Sequence, residues 1–156
     1  MKIDAIILAA GKGTRMNSAL PKVLNNLAGK PLLQHLLDTI KELNNCKHHL
    51  VVGNQQALVK SSVKTSTNSI WVSQSKQLGT GHAVKQTLKN LRPNSIALIL
   101  YGDVPLITSK TMKSLINAAG SKNLALLTFE ASRAKGYGRI LRDSKGKVIG
   151  IIEEKD

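Results

Sequence analysis

A single cysteine, Cys46, stands in a chain of 156 residues, which excludes an internal disulfide and any zinc site built from several cysteines. Cys46 itself reads as an inert residue at a helix-to-strand junction. Aromatic residues are almost as scarce, with one Trp, two Tyr and one Phe, so the stacking platforms that hold single-stranded nucleic acid are nearly absent. No apolar run approaches the length of a membrane span, and no membrane partner is expected. The start, Met1-Lys2-Ile3-Asp4-Ala5, enters a strand-like run without the apolar core and cleavage site of a secretory signal, so the chain reads as cytoplasmic. Acidic residues are also few, nine against 23 Lys and Arg, leaving a formal charge of +14. Such a balance admits a nucleic-acid surface. The lysines, however, stand singly (Lys41, Lys47, Lys60, Lys64, Lys76, Lys85, Lys89). A solvated basic surface suited to small anionic substrates is the plainer reading, and nucleic acid is not expected as the main partner.

Hydrophobic residues make up 42% of the chain, enough for one globular domain with a sizeable core. Ile3–Leu8 reads as a buried strand. Leu32, Leu33, Leu36, Leu37, Ile40 and Leu43 form one helical stripe, with Pro31 in the first turn. Strand-like His49–Gly53, a short helix over Gln55–Val63, and a strand over Ser69–Ser73 follow. A helix is expected over His82–Leu91, stopped by Pro93. Ile96–Tyr101, the most apolar run, reads as a strand central in the sheet. Thr108–Ala119 predicts a helix stopped by Gly120, and Leu124–Phe129 a further strand. Arg139–Arg142 and Lys147–Ile152 flank Asp143-Ser144-Lys145-Gly146, a hairpin signal. Alternating strands and helices indicate an α/β fold, a mostly parallel sheet with helices on both faces and ligands beyond the carboxyl ends of its strands. The chain ends at Asp156, just after a strand and with no closing helix, which reads as a partial domain.

Four segments carry chemistry. The first strand breaks into Ala9-Ala10-Gly11-Lys12-Gly13-Thr14-Arg15-Met16. The dinucleotide fingerprint needs a third glycine where Met16 stands, and a P-loop needs a glycine four residues before its Gly-Lys pair; neither fits. A bare Gly-Lys-Gly is an ordinary turn, but Arg15 and Lys22 can meet a polyphosphate from two sides while loop amides hold it from below. Asp103, in Gly102-Asp103, is the only acidic residue between Glu42 and Glu130. It can be a turn residue beside Pro105 or a hard oxygen ligand for Mg²⁺ bridging phosphates, and its position past an apolar strand favours the metal. In Gln74-Ser75-Lys76-Gln77-Leu78-Gly79-Thr80-Gly81-His82-Ala83, the Gln74 amide can read the donor–acceptor edge of a pyrimidine. Gly79-Thr80-Gly81 can bring backbone close to a flat ligand, and His82, without a second ligand at metal spacing, reads as structural. Finally, Gly138 and Glu153 can lie against a sugar, or be no more than a kinked strand and a solvated carboxylate.

These motifs, in order, with Leu20-Pro21-Lys22-Val23-Leu24, Tyr101-Gly102-Asp103-Val104-Pro105-Leu106 and Gly136-Tyr137-Gly138-Arg139-Ile140, resemble the bacterial N-acetylglucosamine-1-phosphate uridylyltransferases. That resemblance implies a Rossmann-like three-layer sandwich of the nucleotide-diphospho-sugar transferase type. It implies Mg²⁺-dependent transfer of a uridylyl group from UTP to N-acetylglucosamine 1-phosphate, giving pyrophosphate and UDP-N-acetylglucosamine for the cell wall. Leu8, Ala10, Gly11, Gln74, Gly79 and Thr80 would hold uracil. Gly13, Thr14, Arg15 and Lys22 would meet the triphosphate, with Arg15 and Lys22 neutralising charge, and Asp103 would bind the metal. Tyr101, Gly102, Gly138 and Glu153 would contact the sugar substrate. The family continues past this sequence with further asparagine ligands and a β-helix acetyltransferase domain, so residues 1–156 would be a partial pyrophosphorylase domain, and the trimer driven by the β-helix is expected only where that domain is present. A related transferase with another sugar or nucleotide, or a catalytically impaired nucleotide-binding fragment, are the alternatives.

Overall fold

The computed structural model describes residues 1–11, 20–53, 55–121 and 123–154. Two compact units divide them, Met1–Ala125 and Leu126–Asp156.

In the first unit four strands, β1 (Lys2–Ala9), β4 (Cys46–Val52), β5 (Ser69–Ser73) and β6 (Ser95–Tyr101), form one parallel sheet in the order β5-β4-β1-β6. Between β1 and β4 a short hairpin, β2 (Asn26–Leu27) and β3 (Lys30–Pro31), precedes helix α1 (Leu32–Ile40). Helices α2 (Gln56–Ser62), α3 (Thr80–Lys85) and α4 (Ser109–Ala119) complete the unit. The second unit holds an antiparallel hairpin, β7 (Arg139–Arg142) and β8 (Val148–Ile152).

Strand alternation divides the core between two faces. Ile3, Ala5, Ile7 and Ala9 of β1 pack with Leu33, Leu36, Leu37 and Ile40 of α1 and Met112 and Ile116 of α4. Ile6 points the other way, to Val51, Val72 and Ala83 of α3. The three-layer α/β arrangement follows directly from β1 being apolar on both sides. No described helix is long and apolar enough to cross a membrane.

Asp4, inside β1, is fully buried. Its carboxylate accepts from His49 Nε2 at 2.7 Å and from the backbone N–H and Nε of Arg92, both at 3.3 Å. Arg92 also donates to the carbonyls of Ile3 and Asn45, clamping the start of the sheet. Burial alone would raise the Asp4 pKa, but hydrogen bonds from Ser95, His49 and Arg92 bring it below the ordinary value.

Several expected elements differ. No strand forms over 124–129, where Leu124, Leu127 and Phe129 are exposed. Strand β6 lies at the edge of the sheet, not at its centre. Leu98 and Leu100 face the core, while Ile99 and Tyr101 are about half exposed; an apolar side chain on each face does not require a central position. The expected helix over His82–Leu91 is shorter and earlier, Thr80–Lys85, followed by a 3-10 turn over Leu88–Asn90. Thr87 Oγ1 donates to the Val84 carbonyl at 2.7 Å, occupying an acceptor that a continuing helix would use. Helix α1 starts after Pro31 and ends at Ile40; two i→i+3 bonds, Glu42 to Thr39 and Leu43 to Ile40, tighten its end and still bury Leu43. Cys46 opens β4 in a buried position, and burial pushes its thiol pKa up to about 11, which keeps it protonated and unreactive.

Candidate functional site

The parallel strands end level with one another. Leu8 pairs with Tyr101 and Val51, Ala9 with Val52, and Val52 with Ser73. The Gly102 N–H donates to the Leu8 carbonyl at 2.9 Å and the Gln74 N–H to the Val52 carbonyl at 2.7 Å. The segments after β1, β4, β5 and β6 therefore leave from one rim. Strand order runs outward from β1 through β4 to β5, then returns to the other side of β1 for β6. Such a reversal opens a crevice at the carboxyl ends of the strands.

A cavity of about 280 Å³ occupies this rim, lined by Leu8, Ala10, Gly11, Lys22, Val23, Gln74, Gln77, Gly79, Thr80, Ala83, Tyr101 and Asp103. Gln74 is buried. Its Nε2 lies 3.2 Å from the Gly79 carbonyl and 3.0 Å from His82 Nδ1. Gly79 has φ +91° and ψ 178°, a region essentially reserved for glycine, and this turns its carbonyl toward Gln74 and starts α3. At the β6 end, Lys22 Nζ lies 2.5 Å from Asp103 Oδ2, with side chains 41% and 25% exposed. Lys22 opens a 3-10 turn, Lys22–Leu24, whose Val23 and Leu24 are buried.

Of the residues singled out from sequence, Leu8, Ala10, Gly11, Lys22, Gln74, Gly79, Thr80, Tyr101 and Asp103 line this one cavity. Gly102 lies behind it: a Cβ there would meet the Leu8 carbonyl at 3.1 Å, Val23 Cγ1 at 3.2 Å and Leu33 Cδ1 at 3.3 Å. Gly13, Thr14 and Arg15 lie outside the described residues. Gly138 and Glu153 belong to the second unit, where they are neighbours: a Cβ on Gly138 would lie 3.5 Å from Glu153 Oε2.

Sequence reasoning gave no role to Gln77, Val23 or Ala83. Gln77 Nε2 donates to the Ala10 carbonyl at 2.6 Å, tying the loop after β5 to the loop after β1. A trace of this bond is Gly53, where a Cβ would lie 2.8 Å from Gln77 Nε2 and 3.0 Å from the Ala10 oxygen.

Residues 5–142 match the model of the MobA-like NTP transferase domain. The chain belongs to that family. It is a nucleotidyltransferase domain, with the Rossmann-like sandwich that such enzymes share. It is 54% identical to the bifunctional protein GlmU of Nitrosomonas eutropha and 49% identical to that of Azoarcus sp., over 100% and 99% of its length. The chain spans about a third (34%) of those relatives. Among solved structures it resembles a UDP-glucose pyrophosphorylase complexed with UDP-glucose, with TM-score 0.71 and 20% identity, over 99% of this chain and 69% of that one. It also resembles 4-diphosphocytidyl-2C-methyl-D-erythritol synthase from Anaerococcus prevotii, with TM-score 0.64 and 25% identity, over 98% and 63%. One neighbour is named for a uridine and the other for a cytidine nucleotide, so the fold does not choose the base.

Asp103 suits a divalent cation: it offers hard oxygens, three-quarters buried, at the rim of the cavity. Mg²⁺ commonly takes one or two carboxylates and fills its remaining positions with substrate phosphates and water. No three His, Cys, Asp or Glu side chains gather to hold a metal among the described residues, so protein groups there would supply only part of the shell.

Proposed function

We propose that this domain transfers the uridylyl group of UTP to N-acetylglucosamine 1-phosphate, releasing pyrophosphate and forming UDP-N-acetylglucosamine, with Mg²⁺ as cofactor. The observation that supports this most is the make-up of the cavity. Gln74, a buried amide able to read a base edge, and the Lys22–Asp103 pair, able to take phosphate and cation, line the same 280 Å³. The motif resemblance and the identity to GlmU proteins support the choice of nucleotide and sugar.

In this reading the base lies against Leu8, Ala10 and Gly11, with Gln74, Gly79 and Thr80 along its edge. Lys22, with Arg15, neutralises the triphosphate, and Tyr101 borders the sugar phosphate. Gly102 acts from behind by keeping the Leu8 carbonyl, Val23 and Leu33 in place, and Gly138 and Glu153 are the second unit's candidates for the sugar. An oxygen of the sugar 1-phosphate forms a bond to the α-phosphorus of UTP while the bond from that phosphorus to the bridging oxygen breaks. Pyrophosphate carries the electron pair away. The attacking phosphate is already ionised, so no general base is required. The chain's work is alignment and charge neutralisation. A divalent cation on Asp103 would withdraw charge from the phosphate oxygens.

The test is release of pyrophosphate by the 156-residue chain from UTP and N-acetylglucosamine 1-phosphate with Mg²⁺, with CTP and glucose 1-phosphate as rival substrates. Preference for the first pair supports the assignment. Preference for another pair moves the activity to a sister specificity, and UTP binding without release reduces it to nucleotide binding.

A further inference from the structure

We infer that His82 is a positioning residue for base choice: with Gln86 it locks the Gln74 carboxamide so that the acceptor oxygen Oε1 serves the cavity. The site then prefers a base edge offering an N–H over one offering a bare ring nitrogen. This rests on the reading of the cavity as a nucleotide site.

The argument is a count of donors and acceptors. Gln74 Nε2 approaches two atoms, the Gly79 carbonyl at 3.2 Å and His82 Nδ1 at 3.0 Å. A carbonyl oxygen only accepts, so the Gln74 end facing Gly79 must be the NH₂. Turning the amide over would set oxygen against oxygen. With one hydrogen on the Gly79 oxygen, the second points at Nδ1, which must therefore accept. Neutral His82 consequently carries its proton on Nε2. Nε2 lies 3.1 Å from the amide of Gln86, the same end of which lies 3.4 Å from the His82 carbonyl. Accepting the Nε2 proton turns the Gln86 amide over and gives up that longer contact, while the 3.2 Å bond from Gln74 to Gly79 is kept. The polarity is set by the shorter of the two carbonyl contacts, Gln74 on Gly79 at 3.2 Å against Gln86 on His82 at 3.4 Å.

Both Gln74 donors are spent within the protein. No described residue bonds its Oε1, and Gln74 lines the cavity. A fixed acceptor suits the N3–H of uracil and opposes the unprotonated N3 of cytosine. Admitting cytosine in the same pose would require the amide to turn and forfeit both inner bonds. Without His82 only the Gly79 bond resists that turn.

Two measurements on the full 156-residue chain test this. The first is competitive binding of UTP and CTP to the wild type, His82→Leu and His82→Asn. Leu fills the space without an acceptor, and Asn returns an amide oxygen near the place of Nδ1. Wild type should favour UTP by about tenfold or more, the cost of facing a buried acceptor with another acceptor; His82→Leu should shrink that ratio below about threefold and His82→Asn should restore it. An unchanged ratio in His82→Leu overturns the inference, as does a general loss of affinity for both nucleotides with the ratio kept. The second measurement needs no nucleotide: ¹⁵N–¹H correlation of the His82 ring at neutral pH. A protonated Nε2 and bare Nδ1 support the lock, and the opposite tautomer overturns it. Failure of the wild type to bind uridine nucleotides would instead overturn the reading of the cavity, and with it the choice of base, while the tautomer still decides the lock.

Discussion

In the free protein Lys22 and Asp103 neutralise each other at 2.5 Å, yet the proposed reaction asks each for a different partner. A cation arriving at Asp103 must displace the ammonium. Lys22→Met keeps most of the aliphatic stem and removes that competitor. Two unit charges at about 4 Å attract by roughly 1 kcal/mol in water and about 4 kcal/mol at a protein surface. With side chains 41% and 25% exposed, screening and side-chain entropy reduce the net value to about 1 kcal/mol or less. Removing Lys22 should therefore tighten Mn²⁺ or Mg²⁺ binding by about fivefold at most. Folding stability should move by less than about 1 kcal/mol. Triphosphate binding should move the other way, because a lost charge-assisted hydrogen bond costs about 1.5–3 kcal/mol, or roughly 10- to 150-fold. Calorimetric titration of the nucleotide-free chain with Mn²⁺ reads the first effect and titration with UTP the second. Lys113→Met, an exposed lysine on α4, corrects for the general loss of one positive charge. Cation affinity that is unchanged or weaker in Lys22→Met, relative to that control, refutes the exchange of partners.

Asp103→Asn should lower pyrophosphate release by about 100-fold or more, while urea denaturation shifts stability by less than about 1 kcal/mol. Gly102→Ala puts a methyl 3.1 Å from the Leu8 oxygen and 3.2–3.3 Å from Val23 and Leu33, and should cost about 1–3 kcal/mol in the same assay. Gly79→Ala meets nothing within 4 Å, but its φ of +91° should cost about 1–3 kcal/mol and loosen UTP binding. Asp4→Asn breaks a buried charged cluster and should destabilise by about 3–5 kcal/mol. The lowered Asp4 pKa stabilises the fold above the unfolded value near 3.8, and that contribution disappears as pH falls through the folded value. Denaturation midpoints measured between pH 5 and 3 should therefore drop more steeply for wild type than for Asp4→Asn.

Much of this arrangement was legible in the residues. Ser69–Ser73 is a strand with the expected ends, and the strands over Ile3–Leu8 and Ile96–Tyr101 extend only a residue or so further, because apolar runs bounded by polar loops leave little choice of register. The loop residues of the cavity were legible for a different reason. In a parallel sheet whatever follows a strand is delivered to one rim, so finding the three chemically loaded turns after β1, β5 and β6 was enough to gather them. Sheet position was not legible. An apolar strand such as β6 looks the same at an edge as at the centre, since its partners lie far away in sequence. Nor was the Leu124–Phe129 run, whose apolar side chains find no strand partner and stay exposed. Gln77 was invisible because nothing local marks one loop glutamine as the donor to a carbonyl 67 residues away.

In the proposed reading the two ends of the cavity, one for base and one for phosphate, are built on opposite principles. At the base end the polar groups already hold partners that a ligand leaves in place: Gln77 on the Ala10 carbonyl, Gln74 on Gly79 and His82. Such a surface needs no rearrangement to accept a base, so its discrimination comes from fixed donors and acceptors. At the phosphate end the Lys22–Asp103 pair is satisfied only until a ligand arrives, and each charge then takes a new partner. A paired state of this kind is inexpensive to leave, because both side chains are partly solvated. In the proposed reading, specificity and charge handling sit in different residues of one rim. Substitutions at His82 or Gln74 should change which nucleotide is chosen, and substitutions at Lys22 or Asp103 should change how well any triphosphate is handled.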